Sequence, residues 1–205
     1  MIYIINAVSR KSMDGRMRKY HIADRKTVWE GKYLRCLEIT YADPKGMLRK
    51  WESVERVNCD GIVAIVPVTD KGEVVLIRQF RPAVNSYVIE FPAGLNDRSE
   101  RLEDAARREL LEETGFEPRE LQLLAQGPLS SGSSGEILTV YFAKGLKHVG
   151  IQERDETEDI EVMEIPLGQV YENLARLAEE GNLIDLKIFG LIDLARKRGM
   201  FEGKV

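Results

Sequence analysis

Apolar and β-branched residues dominate short runs through the first two thirds of the chain and then give way to helical spacing. Tyr33 to Tyr41 is rich in strand formers, Asp43-Pro44-Lys45-Gly46 is a turn, and Met47 to Val57 returns as the second strand of a hairpin. Gly61 to Val68 is a continuous apolar run, which predicts a buried strand. Asp70-Lys71-Gly72 then turns the chain into a strand from Glu73 to Phe80. Further strands are expected at Tyr87–Phe91, ended by Pro92, and at Leu121–Ala125, Ile137–Ala143 and Ile160–Ile165. Between them Leu102, Ala105, Ala106 and Leu110 recur at helical spacing, with Gly115 where the helix would stop. Leu167, Val170, Tyr171, Leu174, Leu177 and Ala178 predict an amphipathic helix stopped near Gly181. Leu183, Leu186, Phe189 and Ile192–Ala195 predict a second, whose Arg196-Lys197-Arg198 suits a helix C-terminus. Strands first, with helices interposed and last, imply an α/β/α sandwich preceded by a strand extension.

Residues 1 to about 26 fit neither period. Arg10, Lys11, Arg16, Arg18, Lys19, Arg25 and Lys26 make this segment basic, and it reads as an arm or irregular lead-in. It lacks the aromatic and basic pattern of a nucleic-acid module, so no nucleic-acid partner is expected. The division expected is an N-terminal arm and hairpin over 1–57 and a main domain over 58–205.

Composition narrows the class. The chain of 205 residues is 43% hydrophobic and 31% charged, which argues for a folded protein and against a membrane partner. Its net charge of −4 provides no basic field, so an anionic substrate would need local compensation by a metal or by arginine. Cys36 and Cys59 lack metal-ligand spacing and read as two free thiols of a reducing compartment. No apolar run has transmembrane length, and Met1–Val8 lacks the basic flank of a signal peptide. The cytoplasm is the expected location.

One stretch carries candidate chemistry. On the helix ending at Gly115, Glu109, Glu112 and Glu113 stand at i, i+3 and i+4, so three carboxylates crowd neighbouring positions. Each like-charged pair at this spacing costs about 0.2–0.5 kcal/mol. A divalent cation is the simplest compensation, because hard cations take carboxylate oxygens. The plainer alternative is a solvated acidic face. Arg108, eight residues after Glu100, is placed to pair with a carboxylate and hold its orientation.

The run Gly94, Glu100, Arg108-Glu109-Leu110-Leu111-Glu112-Glu113-Thr114-Gly115-Phe116 resembles the Nudix box at every fixed position. The resemblance implies a Nudix-type α/β/α sandwich with a mixed sheet and a hydrolase acting on nucleoside diphosphates linked to another moiety. By that resemblance Glu109, Glu113 and the Ala93 carbonyl hold Mg²⁺, with Mn²⁺ the alternative, and Glu112 shares or orients that set. Gly94 would allow the tight loop leading into the helix.

Four further stretches resemble the ADP-ribose and ADP-sugar pyrophosphatase branch. Gln79-Phe80-Arg81-Pro82 with Glu90-Phe91-Pro92-Ala93-Gly94 implies that Arg81 contacts the substrate phosphates; its plain alternative is a surface ion pair. Trp51-Glu52-Ser53-Val54-Glu55-Arg56 implies a stacking Trp51 and a substrate-binding Arg56. Tyr33 falls where that branch has a second aromatic, contributed by the partner subunit of a homodimer. The alternative for Tyr33 and Trp51 is ordinary core packing. Asp155-Glu156-Thr157-Glu158-Asp159 matches a loop carrying a general base, Glu156, and a further metal ligand, Glu158. Asp155 or Asp159 can replace either. Finally, Pro128-Leu129-Ser130-Ser131-Gly132-Ser133-Ser134-Gly135-Glu136 has Ser-Ser-Gly where the branch often has Ser-Pro-Gly. There Glu136 would face the metals or the terminal sugar, or the stretch is a flexible loop.

The resemblance thus implies metal-dependent cleavage of ADP-ribose or a related ADP-sugar to AMP and a sugar phosphate. The alternatives are a pyrophosphatase for GDP-mannose or another nucleotide sugar, and a non-catalytic module that senses ADP-ribose.

Overall fold

The computed structural model describes residues 19–150 and 159–201. Glu156 and Glu158, with Asp155, lie outside the described residues. Two compact units emerge. Among the described residues the first comprises 19–58 together with 130–135, and the second comprises 59–129 and 136–201 with the gap already stated.

The first unit is a three-stranded antiparallel sheet of β1 (His21–Glu30), β2 (Leu34–Ala42) and β3 (Leu48–Arg56), in that order. The hairpin expected from sequence is β2–β3. Its turn is held by Asp43, whose Oδ1 accepts the Lys45 and Met47 amides at 2.9 and 3.0 Å. Arg49 Nε donates to Asp43 Oδ2 at 3.1 Å. Those amides and that arginine hold the Asp43 carboxyl below its ordinary pKa, the Met47 amide contributing most. β1 corrects the reading of an irregular lead-in up to residue 26. Every residue of β1 is exposed, so no buried face stamps a period of two on its sequence. Its conformation is fixed by pairing with β2, from His21 opposite Ala42 to Glu30 opposite Arg35.

The second unit is the sandwich. One sheet has the order β7 (Ala93–Leu95), β4 (Ile62–Pro67), β9 (Ile137–His148), β8 (Phe116–Pro128). The other has β10 (Ile160–Pro166), β5 (Glu73–Arg81), β6 (Ser86–Glu90) and β11 (Leu183–Ile184). β4 runs parallel to β9 and antiparallel to β7, and β11 runs parallel to β6, so the sheets are mixed as expected. β4 is buried throughout, and its alternation feeds two cores. Val63 and Ile65 pack with Ala105, Ala106 and Leu110 of α1 (Leu102–Thr114). Ile62, Ala64 and Val66 pack with Leu174 of α2 (Val170–Glu179) and with Ile188 and Ile192 of α3 (Lys187–Lys197). One continuous apolar run therefore sits between two helical layers.

Several elements differ from the sequence reading, β9 for one running on to His148 rather than ending at Ala143. β8 begins directly after Gly115 rather than at Leu121. Leu183–Ile184, expected to open the last helix, forms β11 instead, because Asp185 N–H bonds to Ile89 O at 2.9 Å and extends the sheet. Ala93–Leu95, unassigned from sequence, is a short strand on the edge of β4.

Candidate active site

The site is built where β7 meets α1. Helix α1 starts with Glu103 and Asp104 in its first turn, favourable for the helix dipole. It ends at Gly115, which takes φ 74° and donates its N–H to Leu111 O. Ala105, Ala106 and Leu110 anchor one face in the core, which directs Glu109, Glu112 and Glu113 along neighbouring positions near the C-terminal end. Carboxylates are disfavoured by the dipole there, and no basic residue lies in the last turn. The local energetics of α1 thus oppose this placement, and tertiary contacts must supply the compensation.

Arg108 supplies much of it. Its Nε and Nη2 reach Glu100 Oε1 at 2.9 and 2.8 Å. Its Nη1 donates to Glu109 Oε1 at 2.7 Å and Glu112 Oε2 at 2.9 Å, and Nη2 donates to Leu95 O at 3.1 Å. The pairing of Arg108 with Glu100 expected from sequence is present and extends to two more carboxylates. With only 15% of the Arg108 side chain exposed, these contacts are partly desolvated. Burial works against the charged guanidinium. The field of Glu109 and the hydrogen bonds to Glu100, Glu109 and Glu112 outweigh it, so its pKa is pushed still higher.

Two contacts fix the other carboxylates. Glu113 is 5% exposed, and its Oε2 accepts the Ala93 amide N–H at 2.9 Å. Glu109 lies against Gly94: a Cβ added there would stand 1.9 Å from Glu109 Cδ. Gly94 is an ordinary strand residue paired with Val63, and it is not among the positive-φ glycines. The tight-turn role expected of it is therefore corrected. The glycine lets the Glu109 carboxylate pass over its backbone, where a Cβ would displace that carboxylate. Sequence reasoning also missed Asn96, 2% exposed. Its side chain bonds to Glu100 O at 2.6 Å and to Glu100 N at 3.1 Å, setting the loop that presents Glu100 to Arg108. Its signal was only a loop-type Asn two residues after the glycine.

Among the described residues no three His, Cys, Asp or Glu side chains are arranged to hold a metal ion as they stand. One oxygen of Glu109 is engaged by Arg108. The donor chemistry nevertheless fits a hard divalent cation: carboxylate oxygens of Glu109 and Glu113 beside the backbone at Ala93 and Gly94. The described residues supply part of such a set.

The remaining candidates are placed as follows. Arg81 ends β5 and its Nε bonds Glu90 Oε1 of β6 at 2.7 Å, so the ion pair considered from sequence is present. Burial raises the Glu90 pKa; Arg81 opposes this and nearby Asp185 adds to it, leaving the net direction upward. Glu136 is half-buried just before β9, with its backbone oxygen accepting Leu129 N–H at 3.1 Å. In the first unit Trp51 lies on β3, Arg56 ends β3, and Tyr33 precedes β2. Tyr33 is 69% exposed and Trp51 50%, which overturns core packing as their role. One chain does not bring them together. Trp51 pairs with Ile39, six residues beyond Tyr33, which is about 20 Å along an extended strand. Strand alternation sets Trp51 and Arg56 on opposite faces of β3.

Comparison with known proteins gives this geometry a family. The NUDIX domain model matches residues 60–185. The chain is 30% identical over 196 residues to an ADP-sugar pyrophosphatase of Mus musculus, covering 88% of this chain and 89% of the relative. It is 35% identical over 145 residues to an ADP-ribose pyrophosphatase of Bacillus subtilis, covering 70% and 75%. A solved structure described as an ADP compounds hydrolase shares the fold with TM-score 0.74 at 24% identity, over 93% of this chain and 99% of that one. No described helix is long and apolar enough to cross a membrane. With the matched region spanning more than half of its length and carrying the Gly94–Phe116 box on β7 and α1, the chain belongs to the NUDIX domain family of hydrolases.

Proposed function

We propose that this protein hydrolyses the diphosphate of ADP-ribose or a related ADP-sugar, releasing AMP and a sugar phosphate. The observation that carries the reading is the carboxylate pair of α1 seated on β7, with Glu113 on the Ala93 amide and Glu109 against Gly94. The relatives named ADP-sugar and ADP-ribose pyrophosphatase support the substrate class.

In this reading Glu109 and Glu113, with the Ala93 carbonyl and Glu158, hold Mg²⁺, or Mn²⁺ in its place. When bound, such a cation neutralises the diphosphate and lowers the pKa of a water. Arg108 fixes the orientation of Glu109 and Glu112, and Glu112 aligns the ligand set. Arg81 contacts the phosphates, with Glu90 holding its guanidinium at 2.7 Å. Water adds to one phosphorus as the bridging P–O bond breaks, and Glu156, or Asp155 or Asp159, takes the proton of the water. Glu136 contacts the terminal sugar or the metals. The N-terminal division over 1–57 serves base binding and dimerisation, the rest catalysis. Trp51 stacks on the adenine, Tyr33 of a second copy completes the stack, and Arg56 binds the substrate. The spacing of Tyr33 and Trp51 along the sheet supports a homodimer. Two free cysteines suit work in the cytoplasm.

The test is a panel of ADP-ribose, other ADP-sugars and GDP-mannose with Mg²⁺ or Mn²⁺, read by nucleotide release. AMP from ADP-ribose supports the reading. No AMP, with GDP-mannose cleaved, would transfer the protein to the other substrate class; binding without cleavage of any would make it a sensor. Glu113→Gln is expected to lose turnover while still binding ADP-ribose in a calorimeter.

A further inference from the structure

The loop 130–135 has no expected role beyond flexibility, yet it is densely tied within the first unit. Ser133 and Ser134 N–H both bond Ser130 O, at 2.9 and 2.8 Å, and the Ser130 and Ser133 hydroxyls pair at 2.9 Å. The turn so formed lies along the outer edge of β3. Val54 N–H and the Ser53 hydroxyl converge on Ser133 O at 2.8 and 3.1 Å, and Val54 bridges Ser134 in parallel. The next carbonyl back, that of Gly132, accepts the indole N–H of Trp51 at 3.2 Å.

These contacts have an unusual target. Trp51 is half-exposed, so packing on its exposed side does not fix the ring. An aromatic that stacks a flat ligand gains affinity when its plane is set beforehand, since ordering a side chain on binding costs about 0.5–1.5 kcal/mol. The structure supplies that setting through one donor on the ring and one carbonyl held by a serine turn.

We infer that the loop 130–135 positions Trp51. The Ser130–Ser133 turn presents the Gly132 carbonyl to the indole N–H and holds the ring ready for a planar base. This rests on the reading of Trp51 as the base-stacking residue. Ser130, Gly132 and Ser133 are positioning residues that touch no substrate. The loop would govern base affinity and leave the hydrolytic step alone.

A double-mutant cycle tests it, because coupling isolates an effect transmitted through one bond. Ser130→Ala with Ser133→Ala loosens the turn, and Trp51→Phe keeps a ring while removing the donor. In the full chain the serine double variant is expected to raise KM for ADP-ribose about 3- to 10-fold, the worth of one net hydrogen bond, with kcat within twofold. In the Trp51→Phe background the same serine changes are expected to alter KM less than 1.5-fold. Equal effects in both backgrounds, or an unchanged KM, would overturn the inference. A second readout separates it from its premise. Trp29 and Trp51 are the two tryptophans of the chain, so Trp29→Phe leaves Trp51 as sole reporter. AMP is expected to quench it, and the serine changes are expected to red-shift it and lower its anisotropy without ligand. No quenching would defeat the stacking role itself; quenching together with unchanged anisotropy would defeat only the loop's part.

Discussion

Substituting Gly94 by alanine isolates the close approach on which the site depends. The added methyl would stand 1.9 Å from Glu109 Cδ and 2.2 Å from both carboxylate oxygens. Ordinary contact begins near 3.4 Å, so the carboxylate must retreat by about 1.5 Å. The backbone can accept alanine, since Gly94 is extended and paired in β7. The atoms displaced are the end of a flexible side chain, so the structural cost is an off-rotamer Glu109, about 0.5–1.5 kcal/mol. The bond of Arg108 to Glu109, 2.7 Å long, is strained or lost as well, at about 1 kcal/mol for a partly exposed pair. At roughly 2–4 °C per kcal/mol for a chain of this size, Tm is expected to fall by about 3–10 °C. Catalysis is more sensitive: a misplacement of about 1 Å costs on the order of 10²-fold. The assay is AMP release from ADP-ribose at saturating Mg²⁺, with thermal unfolding in parallel. A Gly94→Ala protein that folds and retains kcat within threefold of the parent would refute this account of Glu109.

Arg108→Gln leaves Glu100, Glu109 and Glu112 facing one another without their shared guanidinium. Lying between surface pairs and fully buried ones, the change is expected to destabilise by about 2–3 kcal/mol in urea unfolding with EDTA. Millimolar Mg²⁺ is expected to restore more stability to this variant than to the parent, which the same unfolding curves measure. The Glu90 carboxyl has a folded pKa raised above its unfolded value, so its contribution is fully present below the unfolded pKa and is lost as pH rises through the folded one. The stability of the parent relative to Glu90→Gln is therefore expected to decline from pH 4 to pH 7; a difference that grows over that range would contradict the burial of Glu90.

The box helix was legible in the chain because everything that specifies α1 is local. Its apolar spacing, the stop at Gly115 and the row of glutamates lie within two dozen residues, and the pairing of Arg108 with Glu100 follows from the same stretch. β1 was not legible. A strand exposed along its whole length carries no buried face, and only the neighbouring β2 selects it. The start of α3 was misread because Leu183 and Ile184 suit either a helix face or a strand, and the edge of β6 decides between them.

The sequence by itself carried the resemblance to the family, through the fixed positions of the Gly94–Phe116 box, and placed the carboxylate row on α1, since that spacing is local. Tertiary structure decided what the spacing could not encode. Gly94 serves close approach to Glu109 rather than a turn, because that distance runs through space between β7 and α1. Tyr33 and Trp51, for which core packing was the alternative, stand exposed and far apart along one sheet, because only the pairing of β2 with β3 sets their faces and separation.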